Sequence, residues 1–273
     1  MAIANLDQLV NALGNNSTRV VIDKASLANA AAGLQFSLWR ATGIPAQGAI
    51  PTAAAICNNA LPGAIGFAQQ TAPATSYFAW LRAFTSNATM MVEIHDRLAH
   101  MGGLNGTLTT AQTVGVDITG STDNLPARIG DSNYSDVSWW LEWYVDTGAT
   151  ASNATVNVTY DDASTGNLAA IAVGGTVRTG RMIQLVPAVQ GRFIRAVNSV
   201  TLSASTATAG NFGVTATRLR AAVDTTLANL AATNDWAALG LPEIYNSSCL
   251  FPIVTCSTTT TGVVRGQGKI AHG

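Results

Sequence analysis

The residues best suited to chemistry in this chain lie close together at Glu93, His95, Asp96 and His100. Two imidazoles and two carboxylates are the groups that hold a metal ion or relay a proton. Helical zinc hydrolases set two histidines four residues apart, with a glutamate after the first, so that both rings reach one ion. His95 and His100 miss that spacing, and on a helix their rings would splay. Asp96 and His100 would share a helical face. An exposed Asp–Arg–His surface on an amphipathic helix accounts for the group without catalysis. The third histidine, His272, lies in the tail, and no G-x-S-x-G is present, so a Ser-His-Asp triad has no local support. Gly102-Gly103 and Gly174-Gly175 read as turns, because neither continues into a phosphate-binding loop and helix. Asp161 and Asp162 bring two carboxylates to a loop without further acidic residues, a poor calcium site. Cys57, Cys249 and Cys256 are odd in number and lack metal or disulfide spacing, and read as buried reduced thiols. The expectation is a protein that is not an enzyme and has no cofactor and no metal.

The densest aromatic group is Trp139, Trp140, Trp143 and Tyr144. On a strand, Trp139, Leu141, Trp143 and Val145 face one side and Trp140, Glu142 and Tyr144 the other. The first row reads as core. Trp140 and Tyr144, flanking Glu142, are candidates for binding carbohydrate or another subunit, and packing beneath the N-terminal region explains them as well.

The elements that must position these residues divide the chain in two. Leu6, Leu9, Val10 and Leu13 lie on one helical face, ended by Gly14-Asn15-Asn16. A second amphipathic stretch runs from Ser26 through Leu34 and Leu38, and a third over 76–101, where Met91, Ile94, Leu98 and Met101 repeat at three and four residues. Between them, 41–75 is rich in Ala, Gly and Pro and has no charged residue. Gly43-Ile44-Pro45 and Ala49-Ile50-Pro51 forbid regular structure there. A loop of that length is uncommon in a compact domain, and it reads as an extended arm laid along a neighbouring subunit. Ile44, Pro45, Ile50 and Pro51 are its candidate interface residues, beside Trp140 and Tyr144. From Gly106 the pattern is of strands: 139–146, 153–160, 181–186, 193–204, 211–220 and 249–256, with a turn at 161–167 and a polar tail, 257–273, that forms a last strand or an arm. The fold expected is mainly β with an α-helical N-terminal part. Helical segments and the arm occupy 1–104, and a β-sandwich, jelly-roll-like domain occupies 105–273.

Composition points to the setting. Only 11% of the 273 residues are charged, against ~25% for ordinary soluble proteins. Neutral hydroxyls, amides and methyls are easier to bury than ions, so an exterior built from them suits a subunit covered on several sides. The 14 Lys and Arg are scattered and the net charge is −1, which makes nucleic acid a poor partner. No run of ~18 apolar residues suggests a membrane span, and the opening Met-Ala-Ile-Ala-Asn-Leu-Asp lacks signal-peptide order.

Three stretches resemble tailed-bacteriophage virion structural proteins: Asp96-Arg97-Leu98-Ala99-His100-Met101-Gly102-Gly103-Leu104-Asn105-Gly106-Thr107 with Thr109-Thr110-Ala111-Gln112-Thr113-Val114; Trp140-Leu141-Glu142-Trp143-Tyr144 followed by Gly148-Ala149-Thr150-Ala151; and the run from Ser199 to Thr215. The likeness is to head-associated proteins of the cement or decoration kind. It implies a β-rich homotrimer bound to the major capsid protein, with arms reaching between capsomers, made in the bacterial host cytoplasm and located in the virion head. The resemblance brings no catalytic residues. A major capsid subunit, a tail-tube or baseplate subunit, and a carbohydrate- or receptor-binding β-sandwich are the alternatives.

Overall fold

A computed structural model describes residues 3–28, 30–87, 90–175 and 178–273. The protein is mainly β. Helix α1 (Leu6–Asn15) is followed by β1 (Ser17–Lys24), β2 (Gln35–Ser37), β3 (Gly43–Ile44), β4 (Ala55–Ile56), β5 (Ser76–Thr85), β6 (Met90–Leu104) and β7 (Gln112–Asp117). After the short helix α2 (Leu125–Ile129) come β8 (Ser138–Val145), β9 (Asn153–Tyr160), β10 (Thr165–Asn167), β11 (Ile171–Ala172), β12 (Arg181–Leu185), β13 (Ile194–Leu202) and β14 (Asn211–Thr225). The chain closes with β15 (Ala232–Asn234), α3 (Trp236–Leu239), β16 (Glu243–Ile244), β17 (Leu250–Thr255) and β18 (Val264–His272). Two compact units result, and they interleave in sequence. Unit 1 takes Met1–Ala49, Asn58–Asp96 and Leu219–Gly273; unit 2 takes Ile50–Cys57 and Arg97–Arg218. This division differs from the consecutive one expected with a boundary at 104/105.

Unit 1 has an antiparallel sheet in the order β15-β5-β18-β1-β3. Its inner row, with Val20, Ile22, Phe78, Ala83 and Ile270, packs on Phe36, Val92, Ile94 and Val254 from β2, β6 and β17. Alternation explains the facing: β1 buries every second residue from Val20 to Lys24. Gly268 in β18 leaves room for the Phe78 ring, since a Cβ there would stand 2.7 Å from the Trp80 carbonyl and 3.3 Å from that ring. Helix α1 is capped by Asn5, which accepts from the Gln8 amide. It lays Leu9 and Ala12 on Ala79 and Ala271, the outer face of the same sheet.

Unit 2 is a second pair of layers. One is β10-β9-β13-β7; the other has β8 flanked by β12 and β14. Val114, Val116, Val156, Val158, Val197 and Val200 meet Trp139, Leu141, Trp143, Phe212 and Val214 between them. Trp143 and Phe212 stack with centroids 5.3 Å apart. The strands expected at 153–160, 181–186, 193–204, 211–220 and 249–256 all form, within a few residues of those bounds. The tail supplies β18, a strand paired on both sides by β1 and β5.

The helical N-terminal part shrinks to α1. Over the stretch expected as a helix from Ser26 to Leu38 the described residues form no helix and include β2, and the helix expected over 76–101 is replaced by the two long strands β5 and β6. Apolar spacing of three and four arose in β6 because the strand is buried on both faces from Val92 to His100. A doubly covered strand loses its period of two and imitates a helix.

Segment 41–75 is not a free arm. Lys24 is buried and its ammonium donates to the carbonyls of Ala41 and Pro45 at 3.0 and 2.6 Å. Trp39, also buried, donates through Nε1 to Ala49 at 2.9 Å and meets Phe251 edge-on. Gly48 and Gly63 lie against its ring; a Cβ at Gly48 would stand 2.0 Å from Cε2, and one at Gly63 2.5 Å from the ring edge. In unit 2, the Cys57 amide donates to Leu98, and Arg128 donates to the Cys57 carbonyl at 2.7 Å. At these points the segment's backbone finds its partners within its own chain, so a neighbour is not needed to satisfy them. Gly48→Ala is expected to cost about 1–3 kcal/mol, the usual penalty of overpacking a rigid core. Urea unfolding measures it, and an unchanged midpoint would show that the Trp39 ring has slack.

Candidate interaction surface

The charged residues near 93–100 are buried strand residues, not an exposed helical face. In unit 1, Asp96 accepts from the Ser248 hydroxyl and the Cys249 amide, both at 2.8 Å. Glu93 and His95 lie 3.8 Å apart on the same strand. In unit 2, Arg97 of β6 pairs with Glu142 of β8 at 2.7 Å, both fully buried. Thr215 of β14 and the Tyr144 hydroxyl donate to the second carboxylate oxygen of Glu142, and Arg97 also donates to Thr215 at 3.1 Å. Burial alone would favour loss of the Arg97 proton, but the adjacent Glu142 carboxylate more than offsets it and the guanidinium stays charged. Burial and the same carboxylate push the Tyr144 hydroxyl up, so it remains a donor.

His100 completes the cluster. Burial, reinforced by the Arg97 cation, lowers its pKa to about 3. Arg97 Nη1 lies 3.4 Å from His100 Nδ1, and a guanidinium can only donate, so Nδ1 is the acceptor of a neutral ring. The charge pair is thus answered by hydroxyls and a neutral imidazole, and its residues are buried. Among the described residues no three His, Cys, Asp or Glu side chains gather as a metal site. All three cysteines are buried and form no disulfide, and among the described residues no helix is long and apolar enough to cross a membrane. Asp161 and Asp162 are answered by Arg192, at 3.5 and 2.7 Å.

The expected interface residues separate. Ile44 is exposed on the edge strand β3 and Ile50 is half-buried, whereas Pro45 and Pro51 are buried. Trp140 and Tyr144 are 3% and 1% exposed. Trp140 donates to Thr217 at 2.8 Å, and Tyr144 is part of the cluster around Glu142. The outward-facing row expected on β8 is therefore corrected: β8 is covered on both faces from Trp139 to Tyr144 and offers no aromatic platform to a sugar.

What the surface does present is sparse in charge and partly apolar. Lys24, Glu93, Asp96, Arg97, Arg128, Glu142 and Arg220 all turn inward, so the exterior is poorer in ions than composition alone implies. In unit 1, Leu6 and Val10 line the open side of α1, and Leu227, Leu230 and Trp236 stand exposed around β15 at a sheet edge. In unit 2, Val186 and Val189 are exposed together on the turn after β12. In sequence, the apolar residues of 227–236 are too sparse to mark an element, and the only signal of this patch is a few large apolar side chains set among polar ones.

No family model matches the chain, and no curated protein matches it in sequence. Among solved structures it is similar to the VP2 subviral particle of infectious bursal disease virus, at 12% identity over 94% of this chain and 79% of that one, with a TM-score of 0.19. T=1 particles derived from the same virus give 11% identity, 94% and 76% coverage, and a TM-score of 0.18. Scores that low assign no common fold.

Proposed function

We propose that this chain is a structural subunit of a virus particle, of the cement or decoration kind carried on tailed-phage heads, and that it is not an enzyme. The ion-poor exterior carries the reading. A free soluble protein keeps its charges outside, where hydration is strongest; this one spends many of its few charges inside and meets its surroundings with Ala, Thr, Ser, Asn and exposed Leu, Val and Trp. Such a surface loses little on desolvation and gains ~25 cal/mol for each Å² of apolar area covered. Repetition over a symmetric shell multiplies a modest contact, so a subunit of this design stabilises the particle collectively. The major capsid protein and further copies of this chain, as a trimer, are the proposed partners, and the virion is the proposed location.

The test is position and stoichiometry. The protein is expected in purified particles at a fixed ratio to the shell subunit, removable by mild denaturant without loss of the shell, and able to rebind. Persistence as a dilute monomer with no affinity for particles would sink the proposal. Deleting 41–75 is a poor probe, because the segment covers Trp39 and is part of the fold. Substitution of exposed residues, beginning with Leu227, Leu230 and Trp236, tests attachment without that confusion.

A further inference from the structure

The outer face of the unit 1 sheet gathers cations that the sequence scatters. Strand register sets three rows across β1, β18 and β5: Arg19, Lys269 and Trp80; Val21, Gln267 and Arg82; Asp23, Arg265 and Phe84. Helix α1 covers this face only at its far end, around Ala79 and Ala271. Arg19, Arg82, Arg265 and Gln267 are exposed, with Trp80 and Phe84 half-buried beside them. A shallow cavity of about 330 Å³ opens between Val21, Asp23, Arg82, Phe84, Arg265 and Gln267. Four cations face one carboxylate here, in a chain whose net charge is −1. Asp23 is taken by Arg265 at 3.1 Å, and the Lys269 ammonium donates to the Leu13 carbonyl at 2.7 Å. Arg19 and Arg82 form no ion pair among the described residues.

We infer that this face docks onto an acidic surface of a neighbouring protein, with Arg19 and Arg82 taking its carboxylates and Trp80 and Phe84 forming the apolar centre. Arginine and large aromatics at the middle of a patch, with few lysines, are the make-up of protein-binding hot spots. A guanidinium meets a carboxylate through two parallel hydrogen bonds, which fixes orientation as well as affinity. Nucleic acid fits less well. Binding through phosphates draws on roughly 6–10 contacts, whereas two guanidiniums are uncommitted here and Asp23 sits among them. Asp96, Asp136, Glu142, Asp146, Asp161 and Asp162 of this chain are engaged within their own units, but Asp117, Asp131, Asp224 and Asp235 are exposed without an ion pair among the described residues. A second copy is therefore the competing occupant, and salt-sensitive self-association without particles, lost on charge reversal, would overturn the assignment in its favour. The occupant assigned here is a different chain, and in a particle-bound subunit the contact sets register and association rate more than gross affinity.

The assignment rests on the structural-subunit reading, and one experiment separates the two. Full-length protein is added to particles lacking it, and occupancy is read by co-sedimentation at about 50 and about 300 mM salt, a range over which exposed charges become screened. The wild type should bind and weaken with salt. Arg19→Glu with Arg82→Glu should lose at least about tenfold in affinity, and Trp80→Ala a similar factor. Arg82→Gln, milder toward the fold, should fall between, and all variants should keep the wild-type thermal midpoint. Equal, salt-independent binding of wild type and the charge-reversal variant overturns the docking face alone. A wild type that binds no particle overturns the structural-subunit reading and the docking face with it. Tighter binding to an oligothymidine of about twenty nucleotides than to particles, lost on charge reversal, overturns it in favour of nucleic acid.

Discussion

Glu142→Leu is expected to destabilise the protein by about 3–5 kcal/mol, the cost of leaving a buried charge without its partner. Arg97 is fully buried and has its guanidinium 2.7 Å from that carboxylate. Thr215 and Tyr144 are neutral and cannot replace the lost charge. Arg97→Met should cost a similar amount, since it strands the carboxylate in turn. The combined variant, Arg97→Met with Glu142→Leu, should cost less than either alone, because desolvation of both ions disappears with them. A double-mutant cycle from urea unfolding reads this coupling. If the two losses simply add, the pair is not the unit that the geometry describes, and hydroxyl contacts to each ion carry its stability separately.

The same pair shows why much of the fold was legible and the site was not. Strands covered on one face declare themselves: in β9, Ala154, Val156, Val158 and Tyr160 are buried and their neighbours are not, and alternation over eight residues reads directly as a half-buried strand. Doubly buried strands hide. In β6 each residue from Val92 to His100 is inside, so charge there reads as the wet side of a helix when it is an internal network. Likewise Trp140 and Tyr144 alternate with Trp139 and Trp143, and period alone cannot say whether the second face of β8 is covered. Segment 41–75 misled for a different reason. Gly and Pro limit regular structure there to the two-residue strands β3 and β4, but irregular backbone is still satisfied within the chain where the Lys24 ammonium takes Ala41 and Pro45 and the Trp39 indole takes Ala49. The basic face has no local signature either: Arg19, Arg82 and Arg265 become neighbours only once β1, β18 and β5 are in register.

Acid should unfold this protein through His100. The ring releases its proton near pH 6.5 in an unfolded chain and only near 3 in the fold, where burial and the Arg97 cation both oppose protonation. Between those values the unfolded state binds the proton and the folded state does not. The slope of unfolding free energy against pH is then positive, so stability is fully present above about pH 6.5 and falls as the solution is acidified. By about pH 4 the loss from this one group is roughly 3 kcal/mol. His272, buried and bonded to Ser76 and Thr18, is shifted in the same direction and adds to the slope, so the informative quantity is a difference. His100→Gln keeps an oxygen acceptor for Arg97 and removes the titration; its urea midpoint should fall markedly less than that of the wild type between about pH 7 and pH 4. Parallel decline of the two proteins would mean that His100 takes up its proton without breaking the Arg97–Glu142 cluster, and that the buried ion pair tolerates a third charge beside it.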